Sequence, residues 1–184
     1  MPTVITHSIV SGLLGKSLKW EQSGKITLVS FLCGSIPDLD VIGKYFGIAY
    51  GDVWGHRGMS HSICFAAGLS LFFIMFLSQK SFFQRLGWWL YFTLLISTHG
   101  LLDMCTTGGK GVAILGPWSE HRHFFPHDFK VIKVSPMATK HFTWERLRPV
   151  FESELYLVIL PMISLFLLRF IIQKWIIKKP HAAL

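Results

Sequence analysis

The chemistry this chain can do is set by a few histidine and aspartate spacings. His99 and Asp103 are i, i+4, which puts both side chains on one face of a helix. That suits two ligands of one metal, or a ligand and the carboxylate that orients it. Asp38 and Asp40 follow Pro37 and flank Leu39. An extended turn would point both carboxylates the same way, where they can share or bridge cations. His56 and His61 stand either side of a hinge at Gly58. Between them Arg57 is free to hold an anion, and Ser60 is placed to cap the helix that His61 starts, an end that favours phosphate. His7 lies near the start of the first apolar stretch.

Each element has an ordinary reading. His7 alone is a satisfied surface histidine. Pro37-Asp38-Leu39-Asp40 alone is a turn and cap, and His99 with Asp103 is a hydrogen bond inside a membrane. Glu120-His121-Arg122-His123 is a solvated loop or a headgroup patch. Jointly they point to metal, because separate segment ends deliver His or Asp to one place, and an ionisable group there costs free energy unless paired, metal-bound or wet. Cys33, Cys64 and Cys105 lie in separate apolar segments and read as buried thiols, not as a zinc knuckle or a disulfide framework. Mixed imidazole and carboxylate suits Zn²⁺ first, with Mn²⁺ or Mg²⁺ next, in a hydrolytic site of two or more ions.

The elements that position these groups belong to a membrane. Of 184 residues, 51% are hydrophobic and 15% charged, against roughly 25% charged in an average soluble domain. That excludes an ordinary soluble enzyme and a disordered tail. The net charge of +8 would suggest nucleic acid in a soluble chain; here it reads as basic loops at a bilayer surface, and nucleic acid is not expected.

The expected fold is all-α, a polytopic membrane helical bundle forming a single domain over residues 1–184. Three clear transmembrane spans are expected at 61–78, 86–104 and 155–173, the second opened by Trp88 and Trp89 as interfacial anchors. Two shorter or re-entrant N-terminal helices, 9–18 and 26–36, precede them. A long His- and aromatic-rich extramembrane loop fills 104–154, and a basic tail follows at 174–184.

Alternating the segments sorts the charges. One face receives Lys16, Lys19, Lys25, Lys80, Arg85, Arg169, Lys174, Lys178 and Lys179 against Glu21, which accounts for the whole net charge of +8. Dense Lys and Arg near membrane ends mark it as cytoplasmic. The opposite, extracytoplasmic face receives every aspartate and every histidine except His181.

Several pieces together resemble the YdjM-like family of LexA-binding, inner-membrane-associated metal-dependent hydrolases. They are Thr6-His7, Ile36-Pro37-Asp38-Leu39-Asp40, His56-Arg57-Gly58 with Ser60-His61-Ser62, Thr98-His99-Gly100-Leu101-Leu102-Asp103, and Gly116-Pro117-Trp118-Ser119 followed by His121-Arg122. The resemblance implies a bacterial inner-membrane protein, a hydrolase, and LexA as a partner. Its His/Asp usage is also similar to that of the all-helical zinc phospholipase C group.

The function expected is a membrane-bound, phospholipase C-like phosphoesterase acting on a lipid or lipid-linked phosphate. His7, Asp38, Asp40, His56, His61, His99 and Asp103 would be the metal ligands, with Asp40 or Asp103 as general base. Arg57 and Arg122 would hold phosphate oxygens, with His121 and Trp118 on the substrate side. The competing class is a non-enzymatic metal-binding or transport protein, or a regulatory protein with a structural metal.

Overall fold

A computed structural model of the chain describes residues 2–18, 23–77, 81–133 and 143–177, with side chains through residue 175. Among these residues it is all-helical, with six α-helices and no strand. Two isolated bridges, Thr106–Ile132 and Val112–His123, pin the long loop after the fourth helix. His141, His181, Lys19, Glu21, Lys80, Lys178 and Lys179, used above to sort the faces, lie outside the described residues, as do Ser78 and the end of the basic tail.

Helix α1 spans Val4–Leu18. It begins before the expected 9–18 because its first turn is held from outside. The Thr3 hydroxyl accepts from the Thr6 N–H at 3.3 Å, and Thr3 itself donates to Glu154 far along the chain. His7 therefore sits inside the helix and is fully enclosed. α1 packs on α2, α4 and α6. Small residues on its face let α2 come close; a Cβ added at Gly12 would overlap the Phe31 ring.

α2 (Gly24–Cys33) is capped by Ser23, whose side chain accepts from the Ile26 N–H. The chain then bends by 49° into a 3₁₀ helix, Ile36–Phe46, with Pro37 in its first turn and Gly47 ending it at φ 83°. The helix expected to stop at Pro37 instead resumes there in tighter form. A proline has no N–H to lose at a helix start. Asp38 and Asp40 are thus on a 3₁₀ turn, not the extended turn expected.

α3 is Ile63–Met75, shorter than the expected 61–78. Its cap is Ser62, which accepts from the Phe65 N–H at 3.0 Å; Ser60, expected in that role, is engaged elsewhere. α4 (Phe82–Met104) starts with a capping box between Ser81 and Gln84. Trp88 and Trp89 are half-buried and packed against the helices. Trp88 stacks on Phe92, and the Trp89 indole donates to the Ala67 carbonyl at 2.9 Å, tying α4 to α3. Cys33, Ala66, Tyr91, Phe92, Leu95 and Ile96 form the core between α2, α3 and α4.

The last helix starts at Trp144, inside what the sequence suggests is loop. α5 (Trp144–Glu154) runs through a π turn (Leu155–Ile159) into α6 (Leu160–Ile177). Pro161 cannot donate to the carbonyl of Leu157, inside that turn. Trp144–Trp175 is the one helix among the described residues long and apolar enough to cross a membrane, and the rest of the protein covers only 6% of its apolar stretch. The bent pair of α2 and the 3₁₀ helix meets the same requirement only when taken together. At about 20 Å, α3 falls short of a hydrocarbon core of about 30 Å.

Candidate metal centre

Four elements bring the ionisable residues together. α1 supplies His7. The 3₁₀ helix supplies Asp38 and Asp40. The turns before α3 supply His56, Arg57 and His61, and the last two turns of α4 supply His99 and Asp103. Nearly all are buried, with Asp38 5% exposed and His7, His99 and Asp103 at 0%.

Three groups within the cluster have ligand atoms close enough to hold a cation: His7, Asp38 and His99; Asp38, His56 and His61; and His61, His99 and Asp103. The distances link them into one centre. Asp38 Oδ1 is 3.3 Å from His99 Nε2 and 3.8 Å from His61 Nε2. Asp103 Oδ2 is 3.5 Å from His61 Nε2, and its Oδ1 is 3.5 Å from His7 Nε2. The His7 ring stacks on His99 with centroids 3.7 Å apart.

Outer partners fix which nitrogen of each ring faces inward. His99 Nδ1 donates to the Gly34 carbonyl at 2.6 Å. His61 Nδ1 faces Asp40 Oδ2 at 3.1 Å and Ser60 Oγ at 3.0 Å. His56 Nδ1 is 2.8 Å from Asp40 Oδ1. Metal-binding histidines are oriented in this way. The Nε2 atoms of His61 and His99 then meet at 3.0 Å. Two imidazole lone pairs cannot stay that close without a cation or proton between them; nitrogens sharing one tetrahedral ion stand about 3.3 Å apart. Burial disfavours a charged His61 ring, but the adjoining Asp38 and Asp40 outweigh this and push its pKa up to about 9.

The donor set fits a divalent ion on a further ground. Both nitrogens of His7 and all four carboxyl oxygens of Asp38 and Asp103 are buried without a hydrogen-bond partner. Buried polar atoms are seldom left so, because each costs about 1–3 kcal/mol. Here such atoms gather in one cluster.

The other expected site residues fall elsewhere. Asp40 belongs to none of the three metal-capable groups; it stands behind His56 and His61 and accepts from Ser60 Oγ at 2.5 Å. Arg57 is not free to hold an anion. Its Nε lies 3.0 Å from Asp103 Oδ2, though not aligned as a hydrogen bond, and it donates to the Gly108 carbonyl and Thr106 Oγ1. It holds this place from a left-handed backbone, φ 66°. Arg122 donates to the carbonyls of Tyr50, Asp52 and His56, so it pins that turn. His121 and Trp118 are exposed and neither hydrogen-bonds nor pairs with the cluster.

Sequence reasoning gives Ser60 a different role and passes over Gly34, Thr106 and Glu154. Gly34 matters for its carbonyl and for its lack of a side chain, since an added Cβ would overlap the His7 carbonyl. We expect Gly34→Ala to destabilise the protein by about 1–3 kcal/mol through backbone displacement, read as a lower unfolding temperature in detergent. An unchanged temperature would show that α1 and the 34–35 turn can separate freely.

The sequence matches the family described as YdjM inner membrane protein over residues 1–176. It is 41% identical over 163 residues to the "Inner membrane protein YbcI" of Escherichia coli (strain K12), an alignment covering 88% of this chain and 92% of that relative. No solved structure matches it. The chain belongs to the YdjM inner membrane protein family.

Proposed function

We propose that this inner-membrane protein is a metal-dependent hydrolase of a phosphoester bond in a lipid or lipid-linked phosphate, in the manner of a phospholipase C. The observation that carries the reading is the gathering of buried His and Asp side chains from four elements in one cluster, where His7, Asp38 and Asp103 have atoms that no hydrogen bond satisfies. His7, Asp38, His56, His61, His99 and Asp103 would hold two or more ions, with Zn²⁺ the best match to the donors. Such ions would supply a Lewis acid and a bound water whose pKa is lowered to near 7.

The chain's own residues do the rest. Asp40 and Ser60 orient the His56 and His61 rings, and the Gly34 carbonyl orients His99. Arg57 fixes the Asp103 carboxylate from behind. Asp40 keeps 6% side-chain exposure where Asp103 has none, so Asp40 is the carboxylate placed to take a proton at the open edge. We place the centre on the extracytoplasmic face of a multi-pass bundle in which α4 also crosses and α3 enters the bilayer without spanning it. The support is the segregation of Lys and Arg in the sequence and the exposed apolar surfaces of these helices.

A transport conduit would carry ionisable groups through its depth. Among the described residues, Glu154 is the one buried Asp, Glu, His, Lys or Arg outside the cluster, which favours a one-sided site.

The test begins with protein purified in detergent. Elemental analysis is expected to find at least one divalent ion per chain, and release of phosphate from lipid phosphoesters is expected to vanish on chelation and return with Zn²⁺ or Mn²⁺. Protein that binds no metal, or whose phosphoesterase assays show no chelator-sensitive signal, would sink the proposal.

A further inference from the structure

The cluster is closed on every side but one. The side chains of His7, His61, His99 and Asp103 have no exposure and Arg57 has 1%. Asp38, Asp40 and His56 keep 5%, 6% and 11%. Any reacting molecule must arrive at this edge.

Two unlike surfaces flank it. On the Asp40 side is a cavity of about 390 Å³ whose walls include Leu39, Ile48, Trp54 and Phe65. Its polar members, Asp40 and Ser60, are the same two residues that orient the His56 and His61 rings. The volume lies within the usual range for small-molecule sites, about 300–1,000 Å³. On the His56 side, Tyr50 stands edge-on to the His56 ring at 5.3 Å. The cations of Lys110 and Arg122 lie 5.9 Å and 6.0 Å from the Tyr50 ring. One side of the entrance is therefore apolar and the other is cationic. The rim of the apolar side is itself exposed and greasy. Leu39 is 60% exposed and Trp54 59%, and the 3₁₀ helix continues this surface through Ile42, Tyr45 and Phe46.

Resting on the hydrolase reading above, we propose that this cavity is a subsite for the apolar chain of an amphiphilic substrate. The substrate enters sideways from the bilayer past Leu39 and Trp54. Its chain lies against Ile48 and Phe65, and its phosphate reaches the edge formed by Asp38 and His56, under the field of Lys110 and Arg122. A soluble phosphate would need only the cationic side; the cavity gives preference to a molecule that also has a chain.

The experiment uses full-length, metal-loaded protein in amphipol, titrated with inorganic phosphate and with butyl, hexyl and octyl phosphate. Affinity is expected to rise by about fourfold for each added methylene, with inorganic phosphate the weakest. Leu39→Gln, a neutral change at an exposed position, is expected to weaken the chain-length dependence while leaving metal content unchanged. An ω-bromo-octyl phosphate is expected to quench an emission component that Trp54→Phe lacks. Equal affinity across the series in protein that holds metal and binds phosphate would overturn the subsite and leave the hydrolase reading standing. The same would follow if chain-length dependence persisted undiminished in Leu39→Gln, since the chain would then be lodging elsewhere. Bromine quenching of Trp54 in protein that binds no metal would uphold the subsite and remove the hydrolase reading.

Discussion

Alanine at Asp38 is expected to lower the metal content of the purified protein by one ion or more and its hydrolytic rate by about a thousandfold. Asp38 belongs to two of the three metal-capable groups, with His7 and His99 on one side and His56 and His61 on the other. Its removal opens both at once. Loss of a metal's charge stabilisation costs several kcal/mol in the transition state, and about 4 kcal/mol corresponds to a thousandfold in rate. Asp40 provides the contrast, because it holds the His56 and His61 rings from outside. Asp40→Ala is expected to weaken metal affinity by about 10–100-fold without reducing stoichiometry at saturating metal. Breaking a buried charge cluster can unfold a protein, so Asp38→Asn, which keeps the volume and one oxygen, is measured alongside by elemental analysis and circular dichroism. Folded Asp38 variants with wild-type metal content would remove Asp38 from the ligand set.

The convergence of these residues was legible because each sits where an apolar segment begins or ends. An ionisable group there has few inexpensive reasons to exist. The i, i+4 relation of His99 and Asp103 transferred directly into α4, since helix geometry alone fixes it. What the sequence concealed were tertiary effects. The 3₁₀ form of Ile36–Phe46 and the bend before it depend on packing of that segment against α4 and the turns before α3. Arg57 reads as a free cation in sequence. Only the fold reveals that its guanidinium is folded inward against Asp103, Thr106 and Gly108. Trp88 and Trp89 have the composition of an interfacial belt, yet their rings face α3 and the core. A residue type specifies what a side chain can do; the direction of the helix face specifies which partner it meets.

Glu154 carries the second large effect. Its two carboxyl oxygens accept from the Thr3 N–H at 2.6 Å, the Thr3 hydroxyl at 2.7 Å and the Thr6 hydroxyl at 2.6 Å, and the residue is 1% exposed. This joins the base of the long C-terminal helix to the first turn of α1, one residue before His7. Glu154→Ala leaves those donors buried and unanswered, so we expect a loss of about 3–5 kcal/mol, read as a fall in unfolding temperature. Glu154→Gln keeps the volume and one acceptor, so its loss is expected to be about 1–2 kcal/mol. The alanine variant is also expected to bind metal about tenfold more weakly, as support for a ligand is withdrawn, while the glutamine variant stays near wild type. A purely structural tie would lower the unfolding temperature in both variants and leave the metal affinity of the folded protein unmoved. The last span, which has no metal-capable residue in the cluster, would then have no effect on the centre. The affinity ratio between the two variants distinguishes these cases, because His7 can present its ring to Asp103 and His99 only while the first turn of α1 remains wound.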